Sequence, residues 1–202
     1  MKKQLFILAT LLLVFSGCTK ENELKKSVYV PDAEFTDLPA YSEWGYNTFG
    51  AYYDRDIFVS NNRTVPSKVI VSNDTLSFIL DGQKGESDYY HDYSKEMTMT
   101  FKLSDFPLVQ YSDLTIFNDT TLDLKNPLYE VLVTIDTMKF IANILSGELT
   151  FKRAQHLKVD KEPIEVILSG TFNFKAIINS KPVTISDGRF DVGISPDNFY
   201  NY

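Results

Sequence analysis

Cysteine is all but missing from this chain, with Cys18 the only one in 202 residues. One thiol cannot form an internal disulfide, so a folded domain here has to be stable through its core alone. Histidine is nearly as scarce, with only His91 and His156. Zinc sites draw on His and Cys, so zinc is not expected, while oxygen ligands stay open; no cofactor is expected. Basic residues are outnumbered, with 20 Lys and Arg against 27 Asp and Glu for a formal charge of −7. Nucleic acid requires a basic patch, which removes that class of partner. The apolar run Leu5 to Phe15 falls short of the roughly 20 residues that span a bilayer. No segment sustains a helical period, Gly-X-Ser-X-Gly is absent, and neither histidine sits in a recognisable setting for a serine nucleophile.

What is present begins at the N-terminus. Lys2 and Lys3, the apolar run and the small residues Ser16-Gly17 form a secretory signal peptide over residues 1–17. Val14-Phe15-Ser16-Gly17-Cys18 resembles the lipobox of bacterial lipoproteins, with Phe15 in place of the usual leucine. The resemblance implies that the Cys18 thiol takes a diacylglycerol and that the chain is cut before it. Two or more acyl chains, each burying methylenes at about 0.8 kcal/mol apiece, make such an anchor permanent. Residues 18–27 are polar and charged and read as a flexible tether. The remaining residues, 28–202, are expected to form a single β-rich domain.

Val28 to Trp44, with Pro31 and Pro39, has no clear period and reads as an irregular lead-in. Thr48–Tyr53 and Ile57–Val59 read as strands around Asp54-Arg55-Asp56. Lys68–Val71 and Leu76–Leu80 read as a hairpin around Asn73-Asp74 that ends at Asp81-Gly82. Strict alternation puts Met97, Met99, Phe101 and Leu103 on one strand face. One short helical turn is expected within Ser104 to Gln110, and another strand at Tyr129 to Ile135.

Ser146-Gly147-Glu148-Leu149-Thr150-Phe151 recurs as Ser169-Gly170-Thr171-Phe172-Asn173-Phe174, with a weaker echo in Asp187-Gly188-Arg189-Phe190-Asp191-Val192. Alternation after each glycine places Leu149 and Phe151, Phe172 and Phe174, and Phe190 and Val192 on one face of three strands, an antiparallel meander. Gly147 and Gly170 are expected to bend it. Asp187-Gly188 reads as a hairpin turn with Arg189 and Asp191 facing solvent. Trp44 and the tail Phe199-Tyr200-Asn201-Tyr202 could form a binding patch; a tail laid as a cover over an open sheet edge is the plainer reading and is preferred. Many short strands indicate an all-β fold, an antiparallel β-sandwich first, with a partly open, lipocalin-like β-barrel as the alternative. The sandwich is preferred because a closed barrel calls for consistent strand lengths, and these vary.

Ser169-Gly170-Thr171-Phe172-Asn173-Phe174-Lys175-Ala176 and Asp187-Gly188-Arg189-Phe190-Asp191-Val192 resemble the closing strands of an uncharacterised family of Bacteroidetes outer-membrane lipoproteins, and Asn47–Ala51 resembles its opening hairpin. The resemblance implies an anchored β-rich lipoprotein and supplies no catalytic residues. From the residues themselves, Tyr89, Tyr90, His91 and Tyr93, beside Asp88 and Asp92, form the densest polar and aromatic cluster and are the candidate ligand contacts, for a sugar ring or a cation. A solvated loop is the plainer reading and is preferred. The chain is thus expected to be an outer-membrane lipoprotein, on the periplasmic or cell-surface face. It would be non-enzymatic and attached to the membrane through acylated Cys18, binding or supporting a glycan or an envelope protein. The competing reading is a small envelope glycoside hydrolase with paired carboxylates about 5 to 9.5 Å apart.

Overall fold

The computed structural model describes residues 26–60, 65–85, 94–159 and 162–202. They form strands β1 (Thr48–Tyr53), β2 (Asp56–Val59), β3 (Ser67–Ser72), β4 (Thr75–Lys84) and β5 (Lys95–Ser104), followed by a 3-10 helix (Tyr111–Phe117) and β6 (Thr120–Asp123). Then come β7 (Tyr129–Ile135), β8 (Met138–Val159), β9 (Glu162–Ile178), β10 (Lys181–Ile194) and β11 (Phe199–Asn201). Eight of them close into an antiparallel barrel in the order β1, β2, β4, β5, β7, β8, β9, β10 and back to β1. The sandwich expectation is therefore overturned. The barrel alternative is right in kind, and the ring is closed rather than partly open.

Uneven strand lengths do not prevent closure, because short strands share one edge of a long one. Along β8, β7 pairs with residues 138–142 and β6 with residues 148–151. Along β4, β3 pairs with residues 75–80 and β2 with residues 83 and 84. The long strands curve at bulges, between Ile144 and Ser146 and between Phe151 and Arg153 on β8, and between Ile185 and Gly188 on β10. A bulge adds a residue to one strand and sharpens its local twist, which is what a small barrel needs.

The three glycine echoes sit at these bends, and β8, β9 and β10 form the expected meander. Gly147 has φ +142°, a conformation side chains rarely adopt. Gly170 stands opposite Phe151 on one side and Phe190 on the other, and Gly188 opposite Phe172. Gly170 and Gly188 each vacate space that a neighbouring phenylalanine ring fills, Phe190 and Phe172 respectively. Leu149, Phe151, Phe172, Phe174, Phe190 and Val192 are all buried, as the alternation implied.

An eight-strand barrel is just wide enough for its own side chains, and here phenylalanines fill it. Phe78, Phe101, Phe151, Phe172 and Phe190 are fully buried, with ring centroids between 5.1 and 6.4 Å apart. Tilted and edge-on pairs of this kind add about 0.5–1.5 kcal/mol each beyond burial. Met97, Met99, Phe101 and Leu103 line the same interior from β5.

Other local expectations divide. Asn73-Asp74, both at positive φ, makes the two-residue turn between β3 and β4, but β4 continues through Asp81-Gly82 to Lys84. The helical turn falls at Tyr111–Phe117 rather than within Ser104 to Gln110, stapled by Asp113 Oδ2, which accepts from the N–H groups of Val109 and Gln110. Those two N–H groups hold the Asp113 carboxyl below its usual range. The hairpin between β9 and β10 turns at Asn179-Ser180, φ 51° and 61°, not at Asp187-Gly188, which is a bulge inside β10.

Arg189 and Asp191 do not face solvent, because the lead-in lies over β10. Arg189 Nη1 donates to Asp32 Oδ2 at 2.7 Å, and its guanidinium stacks 5.3 Å from the Phe35 ring. The N–H groups of Phe35 and Glu34, with Arg189 added, hold the Asp32 carboxyl below its usual range. Burial pushes the Tyr41 phenol up to about 12, so it stays a neutral donor to Glu43 Oε1.

Candidate functional site

Asp191 positions the first part of the site. Its carboxylate, 2% exposed, accepts from Ser42 Oγ and from the N–H groups of Trp44 (3.1 Å), Gly45 (2.7 Å) and Tyr46 (3.1 Å). Charge-assisted bonds of this kind are about twice as strong as neutral ones. They hold the lead-in so that Asn47 follows at a fixed place, where its Oδ1 accepts from the Gly193 N–H at 2.9 Å.

Asn198 positions the second part. Its Oδ1 accepts from the Ser195 N–H at 2.7 Å, while its Nδ2 donates to Gly193 O at 2.9 Å and to Ser67 O at 3.1 Å. One amide thus ties β10, the turn after it and β3 together. The tail then pairs with β3 in parallel, Phe199 opposite Val69, so it does cover an open edge.

Between these two fixtures lies a cleft of about 320 Å³. Strands β3 and β4 contribute Ser67, Lys68 and Asp81; the other side holds Glu165 and Gly193, and Asp197, Asn198 and Tyr200 reach it from the tail. Glu165 is 7% exposed, and its carboxylate occupies room that Gly193 leaves open, since a Cβ there would stand 2.5 Å from Oε2. Ser67 is 4% exposed, and its hydroxyl has no hydrogen-bond partner among the described residues. Buried polar groups are ordinarily paired; this hydroxyl oxygen is an exception, sealed beneath the cleft wall rather than open to it. Three carboxylates face one lysine, which makes the cleft acidic.

Beside the cleft the tail presents an aromatic platform. Tyr200 and Tyr202 stack with centroids 6.4 Å apart and planes 4° from parallel, and Tyr202 is 80% exposed. The Tyr200 hydroxyl donates to Asp197 O at 3.0 Å, which fixes its ring. Period-two alternation along β11 places both tyrosines on one face.

Cys18 and the candidate ligand contacts Tyr89, Tyr90, His91 and Tyr93 lie outside the described residues. The strands that flank the tyrosine segment end at Lys84 and begin at Lys95, which pair directly across β4 and β5. Sequence reasoning missed Ser67, Asp81, Glu165 and Asn198, which only long-range pairing brings together. The tail tyrosines carried a signal, their alternation next to a chain terminus. Among the described residues no group of three or more His, Cys, Asp or Glu is arranged to hold a metal ion. In comparison with known proteins, no family model matches the chain, and no curated protein or solved structure aligns with it significantly.

Proposed function

We propose that the protein is a lipid-anchored, non-enzymatic binding module of the outer membrane that holds a glycan in the acidic cleft beside β11. The observation that carries this reading is the cleft itself, lined by Asp81, Glu165, Asp197 and Asn198 next to a stacked tyrosine pair. Hydroxyl-rich rings need polar partners around their edges and a flat apolar surface for their faces, and the two lie side by side here. The packed phenylalanine interior turns attention to such surface sites. Three carboxylates against one lysine favour neutral or amino sugars over uronic acids.

The anchor is part of the same proposal. The lipobox-like Val14–Cys18, the charged tether and the likeness to Bacteroidetes lipoproteins support acylation of Cys18. The lead-in joins the domain at the cleft end, where the Val28 N–H donates to Tyr46 O at 2.8 Å. A short tether would therefore hold that end toward the membrane. Replacing Cys18 by alanine is expected to abolish lipid labelling and leave residues 1–17 attached. Wild-type labelling and processing of that variant would remove the anchor from the proposal.

A hydrolytic reading shares the cleft and is favoured by one fact, that Asp81, Glu165 and Asp197 all line it. Two acids across a glycosidic bond are what such chemistry requires. The tyrosine platform serves holding rather than cutting, which is why binding is the first reading. In a fluorescence titration of the full chain with neutral and amino-sugar oligosaccharides, Tyr200→Ala is expected to weaken binding about tenfold, ~1.4 kcal/mol. Tyr200→Phe keeps the ring and is expected to bind nearly as wild type. Equal affinities for the alanine variant and wild type would rule out this cleft.

A further inference from the structure

The one tryptophan of the chain, Trp44, is 72% exposed. Tryptophan is on average a highly buried side chain, because its large ring gains most from leaving water. A loose segment does not account for the exposure. Trp44 donates its own N–H to Asp191 Oδ2 at 3.1 Å, and the Gly45 N–H donates to Asp191 Oδ1 at 2.7 Å. On the other side, Glu43 accepts from the Tyr41 hydroxyl at 3.0 Å and lies 3.2 Å from Arg153 Nε on β8. The backbone beneath the ring is thus fixed from both sides while the ring itself stays in water.

Trp44 also stands next to the acidic cleft. A Cβ on Gly45 would lie 3.5 Å from Glu165 Oε1 and 3.3 Å from Ile167 Cγ1, so the chain beside Trp44 runs against the wall that holds Glu165. Asn47, three residues on, lines the cleft itself. The tail tyrosines reach the cleft from β3 instead. Aromatic surface therefore flanks it on two sides. At about 320 Å³ the cleft is at the small end of ligand pockets. A ligand that also covers either flank must extend beyond it.

We infer that Trp44 is a second stacking platform of the sugar site, and that the ligand is a linear oligosaccharide. One unit sits in the cleft and its neighbours lie on Trp44 and on the tail tyrosines. The inference rests on the reading of the cleft as a glycan site, and it adds the length of the ligand and a contact outside the cleft lining. A ring held rigid in advance loses little freedom on binding, and such aromatic anchors are where binding energy concentrates. Arg153 is engaged by Glu43, so this flank, like the cleft, suits neutral or amino sugars.

The test is titration of the full chain, purified in non-ionic detergent, with glucose, glucosamine and the linear oligomers of each. Calorimetry measures binding, and emission excited where tryptophan alone absorbs reports on Trp44, the only one present. Affinity is expected to rise with oligomer length, and Trp44 emission to shift with the oligomers and not with the single sugars. Trp44→Ala is expected to weaken the longest oligomers about tenfold, as loss of an aromatic anchor does, and to leave single-sugar affinity unchanged. Trp44→Phe is expected to recover most of the loss. Asp191 holds the main-chain N–H of residue 44, so both variants keep that bond, and unchanged urea midpoints check their folding. Oligomer binding with unmoved Trp44 emission and wild-type affinity in Trp44→Ala would overturn this inference and leave the cleft standing. Absence of binding by every sugar would overturn the cleft reading and this one together.

Discussion

Gly170→Ala is expected to lower stability by about 3 kcal/mol or more, the upper end of what overpacking costs, and to yield little folded protein. A Cβ at this position would overlap the Thr150 carbonyl oxygen and stand 2.7 Å from Phe190 Cζ. The carbonyl belongs to the β8 backbone, so it cannot swing away as a side chain would. The ring is wedged between Phe78, Phe151 and Phe172. Relief requires shifting β8 from β9, the most extensive pairing in the barrel, at the point where β8 already bulges. A urea denaturation midpoint measures the loss. Asn173→Ala, exposed on the same strand, is the control and is expected to change stability by no more than about 0.5 kcal/mol.

Asp191→Ala is expected to cost about 3–5 kcal/mol, as removal of one side of a buried charged network does. Four donors lose their acceptor at once, three of them backbone N–H groups of Trp44, Gly45 and Tyr46. Stranded donors carry the full desolvation penalty. The damage is local as well as global, because these bonds are what fix the lead-in over β10. Proteolytic nicking between Tyr41 and Tyr46 is expected under native conditions in the variant and not in wild type. Asp191→Asn preserves the volume but turns an amide donor toward N–H groups, so at least half of the alanine loss is expected. Because Asn47 follows this segment into the cleft, both variants should also weaken sugar binding.

These two residues also mark how far the sequence could be read. Gly170 was legible, since a glycine before alternating phenylalanines, repeated at Gly147 and Gly188, announces a bent strand against a crowded face. Asp191 was misread. Alternation correctly put it on the outer face, but nothing near it in sequence shows that residues 42–46, about 150 positions earlier, come back to cover that face. The same limit hid the cleft. Ser67 and Asn198 meet only because the tail adds to β3 in parallel, and Glu165 joins them from the far side of the ring.

The sandwich expectation failed for a related reason. Strand lengths were judged one by one, whereas the barrel closes because β6 and β7 share an edge of β8, and β2 and β3 share an edge of β4. Turn chemistry was ambiguous in one place. Asn179-Ser180 and Asp187-Gly188 use the same residue types, because a hairpin turn and a bulge both call for positive φ. Only the pairing of β10 with both β1 and β9 decides which is which.

The most direct measurement is a titration of the full chain with neutral and amino-sugar oligosaccharides, followed by tyrosine fluorescence, with the sugar recovered afterwards and sized. The expected result is saturable binding that Tyr200→Ala weakens, with every oligosaccharide recovered at its original length. Shortened products whose formation stops on replacing Glu165 or Asp81 would contradict the non-enzymatic reading, and no binding to any member of the panel would contradict the glycan site itself.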